Sequence, residues 1–140
     1  MRGWAIALVA LAAPDIAAAQ AVAVKLEWIG NDASGGVLAG KIRERIRGSA
    51  DKREALERSA GPNEGLSVIL QTLDPAVEWQ DGIAAQSRIT VYSLTINRRR
   101  SGASDDAFAG AALGYCAQAD LASCAGEIVE AIDEQIARRG

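Results

Sequence analysis

The sequence predicts a two-layer α+β domain: a mainly antiparallel sheet of about four strands with two main helices on one face, in the order β-α-β-β-β-α. Three observations carry this expectation. Apolar residues alternate with polar ones in segments bounded by turn residues, as half-buried strands require. Two other segments repeat their apolar residues at helical spacing. The two cysteines, Cys116 and Cys124, lie eight positions apart, and in one unbroken helix that is about 12 Å, too far for a disulfide. The chain therefore has to change course between them.

The elements follow in order. Val22 to Ile29 places Val24, Leu26 and Trp28 on one face and Lys25 and Glu27 on the other, a strand with its tryptophan toward the core. A turn over residues 30–36 supplies helix-capping side chains. A helix from about Gly36 to Arg47 then repeats Leu38, Ile42 and Ile46, with Lys41, Arg43, Arg45 and Arg47 around the apolar stripe. The charged stretch Asp51 to Ser59 is expected to form a short helix. Leu66 to Leu73 and Arg88 to Ile96 are strands rich in β-branched residues. Phe108 to Cys116 is read as a strand hairpinned to Arg88–Ile96 through residues 97–106, although its alanines also suit a helix. The last helix carries the stripe Leu121, Cys124, Ala125, Ile128, Val129, Ile132 and Ile136, with Asp120 as its expected cap.

The N-terminus has the order of a secretory signal. Arg2 precedes ten apolar residues, Trp4 to Ala13, and then Pro14-Asp15 and a small-residue stretch ending in Ala19-Gln20-Ala21. A membrane anchor needs roughly twenty apolar residues in a row. Residues 1–21 are thus expected to be removed after Ala21, which leaves 119 of the 140 residues as one domain, periplasmic or secreted and not membrane-spanning. An oxidising compartment makes a Cys116–Cys124 disulfide the default. With 15 basic and 18 acidic side chains the net charge is −3, which argues against nucleic acid as a partner. There is no histidine and no third cysteine, so no metal site is expected.

Catalysis finds little footing. Serine has no histidine base, and nothing in the spacing joins any two of Glu27, Asp32, Glu78 and Asp81 as an acid–base pair. Gly35-Gly36-Val37-Leu38-Ala39-Gly40-Lys41 has the spacing of a phosphate-binding loop, but Ile42 stands where a magnesium-binding hydroxyl belongs, so no cofactor is expected. The Gly35–Gly36 turn remains a candidate anion site. Trp79, beside Asp81 in a polar loop, is a candidate partner anchor or sugar-stacking residue. Arg98, Arg99 and Arg100 at the expected hairpin tip are candidates for an acidic partner.

The strand followed by Asp32-Ala33-Ser34-Gly35-Gly36-Val37-Leu38, then Ile42-Arg43-Glu44-Arg45-Ile46-Arg47-Gly48-Ser49 and the strand Leu66–Asp74, resembles the N-terminal α+β domain of TolB-like envelope proteins. The resemblance covers residues 22–74 and implies a module that binds other envelope proteins; no propeller repeats follow. The resulting expectation is a non-catalytic interaction module docking an envelope or secreted protein. A binder of small anions or glycan fragments is the alternative, and a small hydrolase the third reading.

Overall fold

A computed structural model describes residues 21–54, 65–75, 88–100 and 102–138. Residues 1–20 of the expected signal, and Trp79 and Asp81, lie outside the described residues. The elements are β1 (Val22–Ile29), α1 (Ala33–Arg47), β2 (Lys52–Glu54), β3 (Gly65–Leu73), β4 (Ile89–Arg99), β5 (Ala107–Ala117), a 3-10 turn (Gln118–Asp120) and α2 (Leu121–Ala137). One sheet holds the five strands in the order β2-β1-β3-β4-β5. The two-layer α+β architecture expected from the sequence is present, with both helices on one face.

The alternation read in the sequence is what builds the core. Val24, Leu26 and Trp28 of β1 stand beside Leu66, Val68 and Leu70 of β3. Val68 and Leu70 in turn stand beside Ile96 and Leu94 of β4. These inward side chains meet Leu38, Ile42 and Ile46 of α1 and Ala125, Ile128 and Ile132 of α2, all buried. Trp28 is half-buried against the cluster. Fully burying each such aliphatic side chain contributes about 1.5–3 kcal/mol, so this contiguous set is the main stabilising term.

Several details differ from the sequence expectation. The sheet has five strands and is mixed, because β1 pairs in parallel with both β2 and β3. Within the stretch expected to be a short helix, Lys52–Glu54 is a strand; residues 55–59 lie outside the described residues. Three charged residues have little strand propensity, but the free edge of β1 offers them a ladder, and Lys52 and Glu54 find ionic partners. Glu54 accepts from Arg47 Nε and lies 3.6 Å from Arg43 Nε.

The first helix starts at Ala33 rather than Gly36, so Gly35 and Gly36 sit in its first turn. The fourth strand runs on to Arg99, which puts Arg98 and Arg99 in the sheet and not at a hairpin tip. Asp120 makes no side-chain cap; the 3-10 turn leads the chain into α2 instead.

The ambiguous alanine–glycine stretch is strand β5, antiparallel to β4. Its small inward residues match what covers them. A Cβ on Gly114 would lie 2.6 Å from the Tyr92 hydroxyl oxygen, so the glycine admits the ring. A register shift between Ile96 and Asn97 turns the start of β5, leaving Phe108 beside Asn97. Phe108 thereby joins Leu113 and Tyr115 on the sheet face away from the helices.

The disulfide joins Cys116, at the end of β5, to Cys124, in the first turn of α2, with a Cα–Cα distance of 6.0 Å. It ties the edge strand to the helix that covers it. Loop-closure entropy for so short a loop amounts to about 2–3 kcal/mol. Urea unfolding of oxidised and reduced protein is expected to differ by that amount, and equal midpoints would show that the cross-link adds nothing.

Candidate functional site

Asp32 anchors a buried polar cluster where β1 passes into α1. As the N-cap of α1, its Oδ2 accepts from the Gly35 amide at 2.7 Å. Two strand hydroxyls complete its shell: Thr72 Oγ1 donates to Oδ1 at 2.5 Å and Thr90 Oγ1 donates to Oδ2 at 2.6 Å. Trp28 Nε1 donates to Thr72 Oγ1 at 2.9 Å, closing the set against the core. Asp32, Thr72 and Thr90 are all under 8% exposed. Burial by itself would push the Asp32 carboxyl up, but the hydrogen bonds from Thr72, Thr90 and the Gly35 amide outweigh it and hold the group below its ordinary value.

This arrangement defines what the carboxylate does. A buried carboxylate whose oxygens are taken by donors from three different elements is a structural clasp. It also decides the Gly35–Gly36 position. The Asp32 carboxylate occupies the Gly35 amide, where a phosphate oxygen would otherwise bind. A Cβ on Gly35 would meet Thr72 Oγ1 at 2.0 Å, so the glycine is required by the clasp itself.

A second cluster surrounds Lys52. Ser49-Ala50-Asp51-Lys52 has the S-x-x-K spacing, a motif missed among the serine arrangements above. The Lys52 ammonium donates to Ser49 Oγ at 2.8 Å and to Asp51 Oδ1 at 2.9 Å, and pairs with Asp133 Oδ1 of α2 at 2.8 Å. The Ser49 hydroxyl donates to Asp51 Oδ1. A Ser–Lys nucleophile needs a neutral lysine. Burial here would lower the Lys52 pKa, yet Asp133 and Asp51 outweigh it and raise the value above normal. Ser49 also follows the C-terminal end of α1, where the helix dipole is negative and disfavours an oxyanion. The cluster clamps β2 to α2.

The cations singled out in the sequence are largely committed within the fold. Arg43 and Arg47 hold Glu54, and Arg45 Nη2 donates to the Ala122 carbonyl at 3.0 Å. Arg98 Nη2 donates to the Gln135 carbonyl at 2.7 Å, and Arg99 Nε donates to Asp106 at 3.2 Å. Arg100 is exposed. Thus Arg98, Arg99 and Arg100 do not act as one patch. Lys41 lines a shallow groove of about 420 Å³ between the first turns of the two helices, together with Ser34, Val37, Gln118 and Leu121.

The least satisfied surface among the described residues is the sheet face away from the helices. Leu73, Val91 and Tyr115 stand in one row across β3, β4 and β5. Ile29 and Leu113 lie in the adjoining row, and Ile89 is beyond Val91 on β4. Leu113 is 82% exposed and Tyr115 73%, with Leu73, Ile29 and Ile89 also exposed. Apolar side chains clustered this way on a sheet face mark a surface that gains by being covered. The sequence held a signal for it: Ile89 and Val91 of β4 and Leu113 and Tyr115 of β5 are large apolar or aromatic residues at outward positions, where a one-sided sheet carries polar ones.

Among the described residues, no helix is long and apolar enough to cross a membrane and no group of three metal-ligating side chains occurs. No protein-family model matches the chain, and no curated protein matches it.

Asp32→Ala is expected to cost about 2–4 kcal/mol, since it removes a helix cap and strands two buried hydroxyls. Because the native carboxyl sits below its ordinary value of 3.8, its contribution is full above that pH and fades as pH falls through the lowered value. The stability advantage of wild type over Asp32→Asn, measured by urea unfolding, is expected to shrink from pH 7 toward pH 3 (roughly the unfolded carboxyl range). An advantage that holds constant or grows would contradict the clasp.

Proposed function

We propose that this chain is an exported, non-catalytic interaction module of the cell envelope, freed by cleavage of residues 1–21 and docking an envelope or secreted protein on its open sheet face. The observation that carries the reading is the row Leu73, Val91 and Tyr115 with Ile89 beside it, apolar side chains on the face the helices leave open. A partner supplying its own apolar surface gains about 25 cal/mol for each Å² it covers there.

Other features agree. The two buried polar clusters are saturated by partners inside the fold, which leaves them stabilising roles. The Cys116–Cys124 bridge suits an oxidising compartment. The resemblance of residues 22–74 to the N-terminal domain of TolB-like envelope proteins points toward the same kind of role. The second reading, a small anionic or glycan ligand, is favoured by one observation, the groove holding Lys41 between α1 and α2. Trp79 and Asp81 remain candidate contacts in either reading.

Affinity capture from envelope extract, with the purified oxidised protein as bait, separates these readings. One protein is expected to be recovered with wild type and lost with Leu73→Asp and Ile89→Asp, both folded by circular dichroism. Recovery unaffected by these changes but abolished by Lys41→Glu would move the site to the groove. A fluorophosphonate probe is expected to leave Ser49 unlabelled by mass spectrometry; stoichiometric labelling there would revive the hydrolase reading.

A further inference from the structure

We draw no further inference here: the strongest candidate, the shallow groove between the first turns of α1 and α2 that Lys41 lines, rests on two helix N-termini and one lysine side chain, and nothing in the structure points to a ligand for it.

Discussion

The structure depends on the shell around the Asp32 carboxylate. Four elements meet there: β1 through Trp28, the start of α1 through the Gly35 amide, β3 through Thr72 and β4 through Thr90. A buried, ionised carboxylate is tolerable only when its oxygens are fully hydrogen-bonded, and each bond here comes from a different element. The carboxylate therefore specifies how α1 sits on the sheet, a constraint the non-directional apolar core cannot supply. Gly35 follows from it, because any side chain there would strike Thr72 and Asp32. At the other end of the same helix the Lys52 cluster plays a matching part, linking β2 to Asp133 of α2.

These two clusters narrow the search for function by elimination of chemistry. Each contains residue types that enzymes use, a buried aspartate in one and a serine–lysine pair in the other. In both, the side chains are taken up by partners within the fold. The aspartate is held ionised by its donors, and the lysine is held charged by two carboxylates. Cationic side chains tell a similar story: most of those on α1 and β4 spend their donors inside the molecule. What remains unsatisfied among the described residues is apolar, the outer sheet face and the β5 edge. Surfaces of that kind gain by being covered.

Much of this fold was legible in the sequence because burial imposes period. Val24, Leu26 and Trp28 alternate since β1 has one inner face, and Leu121 to Ile136 repeats at helical spacing since α2 has one buried stripe. The cysteines were legible through geometry, as eight residues cannot be bridged along a helix. β2 was not legible, because Lys-Arg-Glu becomes a strand only where the edge of β1 is free to pair with it. The Asp32 shell was hidden for another reason. Thr72 and Thr90 lie 40 and 58 positions from Asp32, and each reads locally as an ordinary strand residue. Their inward parity, shared with Leu70 and Leu94, was the available signal. Ser49 and Lys52 were in plain view at S-x-x-K spacing; their environment, not their spacing, sets their role.

The central claim is that function resides on the outer sheet face and not in the buried polar clusters. Hydroxyl-radical footprinting of the protein in intact cells, compared with purified protein, tests this most directly. Leu73 and Ile89 are expected to lose reactivity in cells, while exposed side chains bordering the α1–α2 groove, such as Val37, keep theirs. Unchanged reactivity at Leu73 and Ile89, with protection at Val37, would contradict the account and place the partner on the helical side.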